Sequence, residues 1–306
     1  MWTAICLEDP VTHPAHQSEY HLIHCKVSVA WLLSSSVDDH QGWSQTVCQA
    51  FQEGERPARV ALADFCARRI AELFRKNDLV LVTENYIQCV LEPLDYAGSR
   101  RKKQSTYSGS HTPYVLERTD FWTTKDELNV MLRCSVTASS IGDGIVNGGS
   151  SMEVENSTGM DKKISKLELQ TAAVEIMTKY LGPQKENFAP EAMNHVAHVV
   201  VQHRLRECLV NKEAVAFIAD GSILPRKSGA NNAPMASPPA VPCKAPADSP
   251  MKQTLEVDLG ALRHFLSSRP CHDTNKPTSF SISGMAIPKG ITLVAGGGYH
   301  GKVSKT

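Results

Sequence analysis

Near its carboxyl end the chain runs Gly296-Gly-Gly-Tyr-His-Gly-Lys302, directly after Ile291-Thr-Leu-Val-Ala295. Glycines at the first and sixth positions followed by lysine match the spacing GxxxxGK[ST], a loop that works at one place in a fold, behind a strand and ahead of a helix. Its backbone N–H groups surround phosphate oxygens, the lysine reaches the β and γ oxygens, and a hydroxyl at the eighth position binds Mg2+. The feature therefore asks for a βα unit with residues 291–295 as its strand. A glycine-rich tail is also what an ordinary chain end looks like. The β-branched run and the in-register lysine weigh towards the loop.

Two parts of that loop are missing. The eighth position is Val303, which has no oxygen for a metal, and Ser304 comes one residue late. Lys305 and Thr306 are too few to form the helix whose positive end would face the anion. Lys302-Val303-Ser304 is also what an exon ending in AAG encodes when translation continues into a GTRAGT splice donor, so the sequence is expected to be cut there.

With 306 residues, 42% hydrophobic and 21% charged, the chain has a globular composition and room for two ordinary domains. Apolar runs such as Val27-Ser-Val-Ala-Trp-Leu-Leu33 fall well short of the roughly 20 residues a bilayer-crossing helix needs, so no membrane partner is expected. Glu8 and Asp9 stand where a signal or transit peptide would be basic, which argues for an intracellular protein, the cytoplasm first and mitochondria left open. Nine cysteines, none in a CxxC, are an odd set that cannot all pair. They read as reduced thiols filling the core.

Charge balances to zero overall but is unevenly shared. Before residue 56 Lys26 is the only cation, against seven acids, whereas after Asp220 ten lysines and arginines face four acids. A basic carboxyl-terminal third suits a region that handles phosphates. Solvated surface lysines are the plainer reading for most of them singly.

Leu62, Phe65, Cys66, Ile70, Leu73 and Phe74 recur at helical spacing, which predicts a core helix over Val60–Lys76 with cations at its end. Leu79–Thr83 and Tyr86–Leu91 read as strands. Arg100-Arg-Lys-Lys103 follows, a basic tetrad that suits nucleic acid or, more simply, a solvated loop. Thr119–Thr123 and Glu127–Val136 read as paired strands joined at Thr124–Asp126, with Leu128, Val130, Leu132, Cys134 and Val136 on one face. Residues 137–163 are Gly, Ser, Asn and acid with little to bury, so a disordered insertion is expected. Ser165-Lys-Leu-Glu168 is a capping box opening a helix that runs through Leu169, Ala172, Ala173, Ile176, Met177 and Tyr180 and that Gly182-Pro183 ends. A second helix from about Pro190 to Val210 and a buried strand at Ala214–Ala219 follow. The Pro/Ala/Asn/Ser-rich 229–250 reads as an extended loop, with further strands at Thr254–Asp258 and Phe280–Ser283.

Histidines three apart, His13/His16, His21/His24 and His195/His198, invite a metal, but no HExxH or paired cysteines accompany them, so no metal ligand is assigned. No catalytic residue is assigned either.

Phe217-Ile-Ala-Asp-Gly-Ser-Ile-Leu-Pro-Arg-Lys-Ser-Gly229, Ala240-Val-Pro-Cys-Lys-Ala-Pro246 and Gly284-Met-Ala-Ile-Pro-Lys-Gly290 through Lys302 resemble the predicted ATPases of the ABC class, a family separate from the transporters. Weaker likeness at Arg59–Phe65 and Tyr114–Arg118 spreads it over most of residues 56–302. The first 55 residues match poorly and 137–163 is additional. The resemblance implies a family-specific α+β N-terminal domain over 1–136, a disordered insertion over 137–164, and over 165–306 a helix pair with the opening strands of an ABC-type P-loop α/β core, incomplete at the loop. It implies ATP with Mg2+ in the full-length family, bound by Gly296, Gly297, Gly298, Tyr299, His300, Gly301 and Lys302, and a homodimer as the working form. Some relatives are linked to mitochondrial RNA handling, which makes RNA a candidate partner.

Members of that family follow the lysine with Ser-Thr and then the signature, Walker B and switch segments, none of which this sequence contains. An ABC site closes when a second subunit's signature covers the γ-phosphate, and hydrolysis needs a carboxylate to position water. ATP binding is thus expected as the ancestral function, weak or absent here, without hydrolysis by this chain alone. The alternative is an RNA-binding or protein-interaction module independent of nucleotide, resting on Arg100–Lys103 and the basic end of the 60–76 helix.

Overall fold

A computed structural model describes residues 1–7, 11–12, 19–34, 43–76, 80–82, 87–93, 115–138, 166–183, 185–223, 241–266 and 278–293. The chain divides into two units, one formed by Met1–Ser36, Ala63–Thr106 and Glu117–Phe188, the other by Val37–Leu62, Tyr107–Leu116 and Ala189–Thr306. Helices and antiparallel sheets occur in both, a mixed α/β composition as expected.

The first unit is organised by two long strands, β3 (Glu19–Ser28) and β7 (Glu127–Ala138), paired antiparallel from Tyr20↔Ser135 to Ser28↔Glu127. Alternation puts Ile23, Cys25 and Val27 of β3 and Leu128, Val130, Leu132 and Cys134 of β7 inside, every one of them at most 2% exposed. β1 (Thr3–Cys6) continues the sheet beyond β3, and β5 (Ile87–Pro93) with β4 (Val80–Val82) extends it beyond β7. β2 (Val11–Thr12) pairs with β3, and β6 (Phe121–Thr123) pairs with β7 as the sequence predicts. Thr124 closes the β6–β7 turn, its N–H donating to the Glu127 carbonyl at 2.8 Å while its Oγ1 accepts from the Glu127 N–H at 3.0 Å.

Helix α4 (Lys166–Tyr180) lies against β1, β3 and β5, burying Leu169, Ala172, Ala173, Ile176 and Met177, the stripe read from the sequence. Gly182 follows it with φ +127°, and a side chain there would run into the Trp31 ring of the short helix α1 (Val29–Leu32). Trp2 Nε1 donates to the Leu181 carbonyl at 3.1 Å, which fastens the chain's first strand to this corner. Thr137 and Ala138, expected to open the disordered insertion, instead end β7, while residues 139–164 and Ser165, the proposed capping residue, lie outside the described residues.

The second unit gathers α2 (Trp43–Glu53), the start of α3 (Glu55–Arg75), most of α5 (Phe188–Asn211), a 3-10 helix at Gly260–Leu266 and a three-stranded antiparallel sheet. That sheet has the order β8 (Ala214–Ala219), β10 (Ser279–Pro288), β9 (Lys252–Asp258). Leu205 and Leu209 of α5 pack with Ala214, Phe217, Leu255, Ile282 and Ala286 of the sheet. β8 departs from the buried strand expected for an unbroken apolar run. Ala214 is buried but Val215 is 62% exposed, at the irregularity where Ile287 pairs with Ala216 and Pro288 with Ala214, leaving Val215 as the extra residue of β8.

Helix α3 begins five residues before the predicted Val60, with Pro57 in its first turn, where the missing N–H would have had no intrahelical partner. α2, β1 and β3 have no counterpart in the sequence reading. Glu53, the last residue of α2, accepts from the Ala261 N–H at 2.9 Å, and Arg204 Nη2 donates to its backbone carbonyl at 3.3 Å. Segment 43–62 is thereby tied to the carboxyl-terminal half through contacts more than 150 positions apart in the chain, which local periodicity does not encode.

Candidate functional site

The predicted phosphate-loop residues Gly296, Gly297, Gly298, Tyr299, His300, Gly301 and Lys302 lie outside the described residues, as do Arg226 and Lys227. The described chain leads to within three residues of the loop. β10 ends at Pro288, and the Lys289 N–H donates to the Glu213 carbonyl at 2.8 Å. Residues 291–293 then leave the sheet, Ile291 and Leu293 standing fully in solvent at 105% and 88% exposure. The strand expected over 291–295 is not formed in its described part. A strand needs a neighbour to take its N–H and C=O groups, and none of the described strands offers one there.

Upstream, the structure explains why two separated segments carry the resemblance. β8 ends at Ala219, and the N–H of Asp220, which follows it, donates to the Ser283 carbonyl of β10 at 2.9 Å. The Asp220 carboxylate accepts from the Ala245 N–H at 2.7 Å through Oδ1 and from the Ser283 hydroxyl at 2.6 Å through Oδ2. Next to it the Gly221 N–H donates to the Cys243 carbonyl at 2.8 Å and the Cys243 N–H to the Ser222 carbonyl at 2.7 Å. Residues 217–223 and 241–246 are thus the two arms of one stem, clasped to β10 by a single carboxylate. The sequence signal was the pair of family-like stretches, and the role of Asp220 was not readable from them.

The Ala245 N–H, then the Ser283 hydroxyl, and to a smaller degree Lys252 and Lys244 hold the Asp220 carboxyl below the ordinary carboxylate value. Asp258 is lowered likewise, first by the Gly260 N–H at the head of the 3-10 helix, then by the Thr278 side chain. Because the folded-state value of Asp220 lies below the unfolded one of about 3.9, its stabilisation is complete above that value and is lost as pH falls through the folded value. Asp220→Asn is expected to lower the urea midpoint at neutral pH, with the two proteins converging below about pH 4. Urea titrations of both at several acid pH values check this. Parallel curves would remove the clasp.

The other candidates separate. Arg100–Lys103 lies outside the described residues, and at the basic end of α3 two cations are engaged by carboxylates on the same helix, Arg68 with Asp64 at 2.5 Å and Lys76 with Glu72 at 2.7 Å. His21 and His24, three apart on β3, fall on opposite faces of the sheet. His24 bonds Asn129 Oδ1 at 3.1 Å and stacks on Trp122 with 5.4 Å between ring centres. On α5, His198 Nδ1 lies 2.8 Å from the Asn194 carbonyl. Among the described residues no group of three His, Cys, Asp or Glu side chains is placed to hold a metal ion. The described cysteines are free thiols, and burial pushes Cys25 up to about 12, far from a reactive thiolate. No helix among the described residues is long and apolar enough to cross a membrane.

Comparison with known families gives one match. The family ABC_ATPase, described as a P-loop domain, matches residues 189–262 and 268–304, from the start of α5 through β8, β9 and β10 and across Gly296–Lys302. None of the curated proteins matches the chain.

Proposed function

We propose, for a chain whose residues 189–262 and 268–304 match the ABC_ATPase P-loop domain, that Gly296–Lys302 receives the triphosphate of ATP weakly. The observation carrying the reading is that the family match runs through the loop, with Gly296, Gly301 and Lys302 in register for phosphate.

The donor set fits phosphate oxygens and does not fit the metal. Glycine N–H groups and the Lys302 ammonium supply positive ends to the anion. Val303 stands where a hydroxyl would hold Mg2+, and losing such a charge-assisted contact weakens binding by about 1.5–3 kcal/mol, roughly ten- to a hundredfold.

Isothermal titration of the chain with Mg-ATP is expected to give binding weaker than micromolar. Val303→Ser should strengthen it by at least about tenfold and Lys302→Ala should abolish it. Tight binding by the unaltered chain, or binding indifferent to Lys302→Ala, would sink the reading.

A further inference from the structure

β10 is the last described strand on the way to the phosphate loop, and its end is fixed to a helix terminus. α5 stops at Asn211, and Glu213 then takes a left-handed φ of +49°, the conformation that commonly closes a helix. Its carbonyl accepts from the Lys289 N–H, the last backbone bond among the described residues ahead of the loop. The chain is therefore anchored at Lys289 and turns away immediately after it.

The turning residue is Gly290, with φ +121°. Hard-sphere contacts within the backbone bar an L side chain from that angle, whatever the room around it. Room is not the constraint here, because a β-carbon at residue 290 would meet nothing within 4 Å. Conformation, not packing, accounts for the glycine. Beyond it Ile291 and Leu293 stand in solvent, so no burial re-aims the chain there. Ile291 and Thr292 are β-branched and favour extended backbone, which carries a direction set at residue 290 forward towards Gly296.

We infer that Gly290 is a positioning residue for the phosphate loop: its left-handed bend, made against the anchored Lys289, sets the direction in which the chain leaves the sheet and presents the loop's N–H groups and Lys302. The inference rests on the reading of Gly296–Lys302 as a triphosphate site. An L-residue at 290 is driven back to negative φ, and only the fraction of molecules that keeps the bend binds as before.

The test uses the full chain in the Val303→Ser background, where binding is tighter, with Mg-ATP titrated calorimetrically. Gly290→Ala is expected to raise the dissociation constant about fivefold or more, with circular dichroism and the urea midpoint not falling, since the exposed bend supports no packing. The second variant is Gly290→D-Ala, introduced by semisynthesis. It adds the same methyl group but has the mirror-image backbone preference, so it takes +121° without strain and should bind within about twofold of glycine. An L-alanine variant that binds like glycine, or a D-alanine variant as weak as the L form, overturns the inference while the phosphate site itself stands. Binding that survives Lys302→Ala removes the site and the inference together.

Discussion

Asp64→Ala is expected to cost the protein about 3–5 kcal/mol, the loss associated with removing one partner of a buried ion pair. Asp64 sits on α3 with its side chain entirely out of solvent. Arg68 Nε reaches Oδ2 at 2.5 Å from one turn further along the helix, and Arg118 Nη2 approaches Oδ1 at 3.5 Å from the segment that leads into β6. Both guanidiniums are themselves mostly covered, at 17–23% exposure, so water does not replace the lost carboxylate. The Cys66 thiol, buried two residues along, is pushed further up by the same negative charge. Urea unfolding with the slope held constant measures the effect. Asp64→Asn keeps an acceptor in place and should lose less than Asp64→Ala. A fall of under about 1 kcal/mol for the alanine variant would mean that the carboxylate is dispensable to the fold.

Gly284→Ala is expected to destabilise by about 2–3 kcal/mol, a large effect for one methyl group. Gly284 is buried in the middle of β10, opposite Ala219 of β8 and Gln253 of β9. A β-carbon there would come 2.7 Å from the edge of the Phe217 ring and 2.8 Å from the Ala219 Cα, and closer still to the Ile218 carbonyl oxygen. Two of those three are backbone atoms of a paired strand and cannot turn aside. The sheet would have to open between β8 and β10, which would also pull at the Asp220–Ser283 clasp. Thermal unfolding, with amide exchange read at β8, distinguishes this local opening from a general loss. Gly221→Ala is the control. That glycine has φ +87° and open space around it, so its substitution adds backbone strain without a clash. If the two variants lose the same stability, crowding at Gly284 is not the cause.

Several elements were legible because their signal is local. The α4 stripe from Leu169 to Met177, the alternation from Leu128 to Cys134 and the β6–β7 turn at Thr124–Asp126 stand where the sequence predicts them. Each depends on neighbours a few residues away, and hydrophobic period alone reports it. β1, β3 and α2 escaped notice because their partners are distant. The inward face of β3, Ile23, Cys25 and Val27, is interleaved with His24 and Lys26, and its pairing with β7 joins positions about a hundred residues apart. The phosphate loop was legible as chemistry, since glycine spacing and one lysine specify it, while the residues themselves lie outside those described.

By itself the sequence determined the mixed α/β composition and the resemblance to an ABC_ATPase P-loop domain, because these reside in short motifs and periodicities. Tertiary structure alone decided what Asp220 does, that α2 belongs with the carboxyl-terminal half, and that residues 291–293 stand outside the described sheet. The physical reason is common to all three. Hydrogen-bond partners and strand neighbours are chosen by where the whole chain brings backbone groups together, and no local run of side chains records that choice.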